Sequence, residues 1–260
     1  MPDESSLKKI MDEIKEVAEL LHKSNNTVVL TGAGMSTESG ISDFRSNRGV
    51  YSEIPEEVFS LTYFYRYPRQ FYDAVLKYLY IKDLQPNIGH IILAEWEEKG
   101  LVHQIITQNV DSLHFDAGSK KVIEIHGTGK TATCLRCKRQ YVFAELVAKG
   151  GEFYYCDCLD KHADNLIKRD TVLFEENVPR YEDAFKIIQK AELVFVLGTS
   201  LTVYPVADLI EYAPPRSKIV IINKTTTSFD NSRQVIAIHK PIGKTLMAIN
   251  ELIEVQGRSK

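Results

Sequence analysis

Apolar positions along the chain alternate between two periods. Over residues 7–23, Ile10, Ile14, Val17, Leu20 and Leu21 recur at helical spacing, which predicts an amphipathic first helix. The next stretch, TVVLTGAG from Thr27 to Gly34, is apolar and then glycine-rich, which predicts a buried strand running into a tight turn. VHQIITQN and VIEIHG predict a second strand and a short third one, and AELVFVLGTS and SKIVIIN predict two more. Residues 56–82 are rich in aromatics and read as short helices packed around a groove, most of the rings serving as core. Residues 86–99 and the stretch from Thr245 read as further helices. Apolar strands separated by helical segments indicate an α/β protein with a parallel sheet. The strands end in TGAG, TQN, GTS and IIN, so glycines and polar residues gather at their carboxyl ends, where open α/β sheets bind ligands.

Residues 131–171 break this pattern. They hold all four cysteines, many charges and little apolar periodicity, as expected of a small inserted module that lacks a hydrophobic core of its own and is stabilised by a metal. Composition narrows the picture further. The chain has 260 residues, 44% hydrophobic and 26% charged, enough for one large domain carrying a small one. A formal net charge of -3 gives no reason to expect nucleic acid or an anionic membrane as partner. No apolar run approaches the roughly 20 residues that span a bilayer. The opening MPDESSLKKIMDEIKEVAELL is mixed in charge and helical in period, unlike a signal peptide, so a cytoplasmic protein is expected. In a reducing compartment clustered cysteines favour a metal over disulfides.

Four constellations carry candidate chemistry. Gly32-Ala33-Gly34-Met35-Ser36-Thr37 follows a strand and comes close to the dinucleotide fingerprint G-x-G-x-x-G, with Thr37 in place of the third glycine. Such a turn lets a pyrophosphate approach backbone amides, and equally serves to join strand to helix. Gln108-Asn109-Val110-Asp111 offers amides and a carboxylate able to grip a carboxamide or ribose hydroxyls, or else to form an Asx-type turn. His126-Gly127 places a general base, or a structural histidine, at a strand end. Cys134-x2-Cys137, eighteen residues, then Cys156-x-Cys158 suits tetrahedral zinc with a closed, structural shell. Gly129-Lys130-Thr131 resembles the end of a phosphate-binding P-loop, but Glu124 stands where that motif needs glycine.

The order of these motifs resembles the sirtuin family. The resemblance rests on Gly32 through Ile41 followed by Asp43-Phe44-Arg45, on Thr107-Gln108-Asn109-Val110-Asp111 with Leu113-His114, and on His126-Gly127 and the cysteine pairs. It extends through Gly198-Thr199-Ser200-Leu201, Val203-Tyr204-Pro205 and Ile221-Ile222-Asn223, covering about residues 25 to 250. It implies a Rossmann-like NAD-binding domain over 1–130 and 172–260, a zinc-binding module over 131–171, and a helical addition to that module from about 45–85. It implies an NAD-dependent protein lysine deacetylase that moves the acetyl group to ADP-ribose and releases nicotinamide, acting on acetylated proteins or peptides.

Residue by residue, the resemblance assigns the phosphates to Gly32, Ala33, Gly34 and Ser36, with Thr37 also cofactor-binding, and a mobile covering loop to Asp43, Phe44 and Arg45. Gln108 would hold the ribose, and Asn109 and Asp111 the nicotinamide carboxamide. Gly198, Thr199, Ser200, Asn223 and Lys224 would hold the adenosine half, with Ile238 as an adenine contact. His126 would act as base on the ribose hydroxyl, with Asn109 and Asp111 as its catalytic companions. NAD is the expected co-substrate, with one structural zinc per chain on Cys134, Cys137, Cys156 and Cys158.

Substrate peptide would add as a strand along Val172, Phe174, Glu175 and Asn177. Glu175 stands where the family usually has glycine, and its acidic side chain points to basic peptides. ADP-ribosyl transfer and NAD hydrolysis would use the same pocket; the Val172–Phe174 strand and Val203-Tyr204-Pro205 favour deacylation. A redox dehydrogenase would want the full glycine fingerprint, which is absent. Acidic acyl groups would need a tyrosine and an arginine, and those positions fall on Val75 and Tyr78. Acetyl-lysine is therefore expected to be the better substrate.

Overall fold

The computed structural model describes residues 4–257. Residues 1–3 and 258–260, the two ends of the expected large-domain range, lie outside the described residues. In chain order the elements are α1 (Glu4–Lys23), β1 (Thr27–Thr31), α2 (Leu61–Arg66), α3 (Pro68–Ala74), α4 (Ile88–Glu98), β2 (Gln104–Thr107), α5 (Leu113–Asp116) and β3 (Val122–Glu124). They continue with β4 (Gly127–Cys134), β5 (Gln140–Val142), α6 (Phe143–Lys149), β6 (Ile167–Thr171), α7 (Tyr181–Ile188), β7 (Leu193–Leu197), β8 (Lys218–Ile222), β9 (Val235–Ile238) and α8 (Ile242–Gly257).

Six strands form one parallel sheet in the order β3-β2-β1-β7-β8-β9. Renumbered within the sheet this is the doubly wound order 3-2-1-4-5-6, in which the winding direction reverses between the first and fourth strands. Here that crevice lies between β1 and β7. Both strands are buried along their whole length, as a sheet covered on two faces requires. On one face α1, α4 and α8 bury Val17, Leu21, Leu93, Trp96, Leu246 and Ile249. On the other, α7 and the 3₁₀ turn Val206–Tyr212 bury Ala184, Ile188, Leu209 and Ile210. The α/β expectation holds. Sequence reading passed over β9, a four-residue strand at the sheet edge, and over α7.

The cysteine-bearing segment folds as an antiparallel sheet, β5-β4-β6, that begins at Gly127 rather than at 131. Its core is not missing but shared. Phe143, Leu146, Tyr154, Leu166 and Ile167 pack with Phe59, Phe64, Phe71, Tyr72 and Val75 from the aromatic stretch into one cluster. Tyr72 stacks on Tyr154 with centroids 5.6 Å apart, and its hydroxyl donates to the Ile167 carbonyl at 2.6 Å. The aromatics of 56–82 are therefore chiefly the packing partner of the cysteine segment, which periodicity alone leaves hidden.

Candidate functional site

A cavity of about 780 Å³ opens at the carboxyl ends of β1, β2, β7 and β8 and runs beneath the first turns of the small sheet. Gly34 explains why its floor is glycine-rich. A Cβ there would lie 2.7 Å from the Cα of Gly198, and the Gly34 N–H donates to the Gly198 carbonyl at 2.8 Å. The turns after β1 and β7 thus touch backbone to backbone across the crevice. Gly198 itself has φ of 64°, open to glycine at no steric penalty.

Asn109, Ser36 and Asp111 form one network. The Asn109 side-chain amide donates to the Gly32 carbonyl at 3.1 Å and to the Ser36 hydroxyl at 3.0 Å, and that hydroxyl donates to Asp111 at 2.7 Å. The second Asp111 oxygen accepts from the Leu113 N–H at 2.9 Å. Burial raises the Asp111 pKa, against the pull of these donors. Beneath the network, Thr107 accepts from the Asn109 N–H and receives the Thr31 hydroxyl, which also contacts Nε2 of the buried His114. Gln108 donates to the Thr199 hydroxyl at 3.1 Å, tying β2 to β7.

His126 ends β3's exit turn. Its Nδ1 lies 3.1 Å from the Gln108 carbonyl, an atom that can only accept, so Nδ1 carries the proton and Nε2 keeps its lone pair. Burial lowers its pKa below the usual 6.5, so the ring is neutral near pH 7. The arrangement is that of a general base held in one tautomer.

Gly32, Ala33, Gly34, Ser36, Thr37, Asp43, Phe44, Arg45, Gln108, Asn109, Asp111 and His126 all line this cavity, as do Gly198, Thr199, Ser200, Asn223 and Lys224. Val172, Phe174 and Glu175 line it as well, with Val203, Tyr204 and Pro205. Two expected residues do not. Ile238 is buried in the core under β8, where its carbonyl accepts from the Asn223 N–H. Asn177 is not a lining residue, although Glu176 and Val178 on either side of it are.

Glu175 has φ of 75°, the left-handed backbone that glycine adopts freely. Its carboxylate accepts from both the backbone N–H (2.8 Å) and the hydroxyl (2.7 Å) of Thr62 at the start of α2. The side chain is committed to the protein and not held out toward a peptide. Phe174 also bridges to the strand-like segment at Ser60, its N–H donating to the Phe59 carbonyl.

The apolar end is formed by residues of the aromatic stretch read as helices around a groove, among them Val75, one of the two positions matched to the acyl pocket. Phe59, Phe71, Val75 and Leu79 line it, the last two from a π-helical turn, Val75–Leu79. That turn carries Tyr78 outward to Glu53 and leaves Leu79 facing the cavity. Arg169 of β6, 6% exposed, is among the further lining residues that the sequence did not point to.

The four cysteines converge. All Sγ atoms lie within 4.8 Å of one another, with Cys134–Cys158 at 3.8 Å and Cys137–Cys156 at 3.7 Å. A tetrahedron with metal–sulfur bonds of about 2.3 Å has edges of about 3.8 Å, whereas a disulfide needs about 2.05 Å. The donor set and spacing fit a four-thiolate metal centre.

Residues 32–205 match the model of the Sir2 family. An NAD-dependent protein deacetylase of Thermotoga maritima is 40% identical over 225 residues, spanning 84% of this chain and 90% of that protein. One of Geobacillus kaustophilus, NAD-dependent protein deacetylase 2, is 37% identical over 254 residues, spanning 95% of this chain and 100% of that protein. Among solved structures, a Sir2 complex with a p53 peptide and NAD+ superposes with a TM-score of 0.82 at 36% identity, covering 94% and 99% of the two chains. A Sir2 protein bound to acetylated peptide gives 0.81 at 35% identity, covering 94% and 98%.

Proposed function

The chain belongs to the Sir2 family, and from that membership we propose that it is an NAD-dependent protein lysine deacetylase. The observation that carries the reading is one cavity, at the switch point of the sheet, lined by both halves of the chemistry. A neutral His126 with Nε2 free and the Asn109–Ser36–Asp111 network meet an apolar end suited to a short acyl chain.

NAD supplies a C1′–nitrogen bond whose cleavage releases nicotinamide. The backbone of Gly32, Ala33 and Gly34 and the side chains of Ser36 and Thr37 would hold its phosphates. Gly198, Thr199, Ser200, Asn223 and Lys224 would hold the adenosine half, and Gln108 the ribose beside His126. Asp43, Phe44 and Arg45 would close over it. Asn109 and Asp111 orient the carboxamide, and the buried carboxylate of Asp111 favours positive charge developing nearby. His126 takes the proton from a ribose hydroxyl at Nε2. Holding a weak amide nucleophile in line converts a bimolecular step into a unimolecular one. Overall, NAD+, acetyl-lysine and water give lysine, nicotinamide and O-acetyl-ADP-ribose, with no net oxidation.

Acetylated peptides would enter along Val172, Phe174 and Glu175, opposite Val203-Tyr204-Pro205. The four cysteines would hold one zinc ion whose shell is closed, so the metal stabilises and does not react. Thiols kept for a metal fit a reducing, cytoplasmic setting, and no described helix is long and apolar enough to cross a membrane.

Mass spectrometry of NAD incubated with an acetyl-lysine peptide tests the reading. Equal amounts of free-lysine peptide, nicotinamide and O-acetyl-ADP-ribose support it. A peptide heavier by one ADP-ribosyl group, or ADP-ribose formed with the peptide unchanged, would give the site to transfer or hydrolysis instead.

A further inference from the structure

His114, of the Leu113-His114 pair, lies below the cavity and is not part of its lining. It is 1% exposed, and His90 of α4, fully buried, stands against it with ring centroids 4.8 Å apart. Each ring leaves one nitrogen without a hydrogen-bond partner among the described residues: Nε2 of His90 and Nδ1 of His114. Burying such atoms is costly, and a ring needed only to fill the space would be better served by phenylalanine.

The other nitrogens fix the direction of each ring. Nδ1 of His90 accepts the Asn87 N–H at 3.3 Å, so the proton of the neutral ring sits on Nε2. The Thr31 hydroxyl gives its one proton to Thr107 at 2.7 Å. Toward His114, 3.0 Å away, that hydroxyl can only accept, and His114 carries its proton on Nε2. The unpartnered atoms are thus a donor on one ring and an acceptor on the other. Burial lowers both pKa values, His90 to about 4, which keeps the two rings neutral.

This line of groups ends at the site. Thr31 and Thr107 are register partners at the ends of β1 and β2, both buried, and Thr107 also accepts the Asn109 N–H at 3.1 Å. From the other side, the Asp111 carboxylate accepts the N–H of Leu113, the residue before His114, across Ser112 with φ of 62°. A left-handed backbone at a serine is held only where its surroundings over-determine it. The segment from Asn109 to His114 is therefore pegged at both ends, and His114 is the peg that reaches β1. Asn87 extends the same network to the glycine turn, its side-chain amide donating to the Met35 carbonyl at 2.8 Å.

We propose that His114 is a positioning residue for the deacetylation site: protonated on Nε2 and kept in that tautomer by His90, it fixes through Thr31 and Thr107 where Asn109 and Asp111 stand. The inference rests on the deacetylase reading, in which those two residues orient the nicotinamide carboxamide. Loss of the Nε2 donor then slows cleavage of the C1′–nitrogen bond more than it weakens the binding of peptide. Asn109 is displaced, whereas Val172 and Phe174 belong to other elements and stay in place.

The test assays three substitutions in the zinc-loaded full chain with NAD and acetyl-lysine peptide. The amide nitrogen of His114→Gln reaches about where Nε2 stands, that of His114→Asn about where Nδ1 stands, and His114→Phe keeps only the ring. His114→Phe and His114→Asn are expected to lower kcat at least about tenfold, part of the roughly 100-fold that a misplacement of about 1 Å can cost, with peptide KM within about twofold. His114→Gln is expected to recover most of that rate, whatever its melting temperature. In the wild type, long-range proton–nitrogen NMR is expected to find His90 and His114 both protonated on Nε2. A kcat of His114→Phe within about twofold of wild type, a His114→Gln no faster than His114→Asn, or a wild-type His114 protonated on Nδ1 overturns the proposal. Should no variant fold, judged by zinc content and thermal unfolding, the wild-type tautomer decides alone. A wild type that leaves the acetyl peptide unchanged sinks the deacetylase reading and this proposal with it, whereas an active wild type with insensitive variants sinks only this one.

Discussion

The two ends of the cavity are built in opposite ways. The end proposed to hold the nucleotide comes from short contiguous motifs at the carboxyl ends of parallel strands, most of which contribute several lining residues. The apolar end, proposed to take the acyl chain, is lined by single residues far apart in the chain: Phe59, Phe71, Val75 and Leu79 from the aromatic stretch, Arg169 and Val172 from β6 and its exit. The first end depends on a sheet that packs on both faces. The second depends on an aromatic cluster shared between two segments and on a four-cysteine knot.

If that contrast is right, removing the knot should damage the acyl end first and hardest. Cys134→Ser, or chelation of the metal, is expected to lower stability by several kcal/mol, since structural zinc contributes folding energy directly. Hydrogen exchange should show the loss concentrated in β4, β5, β6 and α3, with the parallel sheet protected. A variant with unchanged melting temperature and no bound metal would erase the distinction between the two ends.

Gly34→Val attacks the other end. Its side chain would push into Gly198 across the crevice, where even a Cβ meets backbone at 2.7 Å. NAD affinity measured by calorimetry should fall at least about tenfold, while the zinc content and the aromatic core stay intact. A normal affinity would mean that backbone contact between the β1 and β7 turns does not shape the nucleotide site.

This asymmetry also explains what the sequence made legible. Gly32 to Thr37, Gln108 to Asp111 and Gly198 to Ser200 are readable because glycine turns and polar strand ends are local signals. Phe71, Val75 and Leu79 look like ordinary core, and a π-helical turn shifts the register so that Leu79, not Tyr78, faces inward. Arg169 lies in a charged tract, and its burial follows only from the Tyr72 and Phe143 contacts. Glu175 shows a further limit. Its identity suggested peptide selectivity, but its carboxylate binds Thr62.

Acid should expose a smaller difference. His90 and His114, buried under the nucleotide end with ring centroids 4.8 Å apart, both have pKa values lowered by burial, His90 to about 4. Their neutral forms are favoured by the fold, so their contribution is whole above pH 6.5 and is lost as pH falls toward the folded values. Between pH 6.5 and 4, denaturant titrations should show stability declining, by about 3 kcal/mol from His90 alone at pH 4. Stability constant across that range would contradict burial of neutral rings there. The rate, in contrast, should be flat from pH 8 down to about 6.5, because burial keeps His126 neutral.

His126→Ala tests the central claim most directly, that both ends meet at one base. With acetyl-lysine peptide and NAD, kcat is expected to drop by about 10²- to 10⁴-fold, with NAD affinity by calorimetry within a few-fold of wild type. Deacetylation within a few-fold of wild type would contradict the account, because a base held in one tautomer by Gln108 would then have nothing to do.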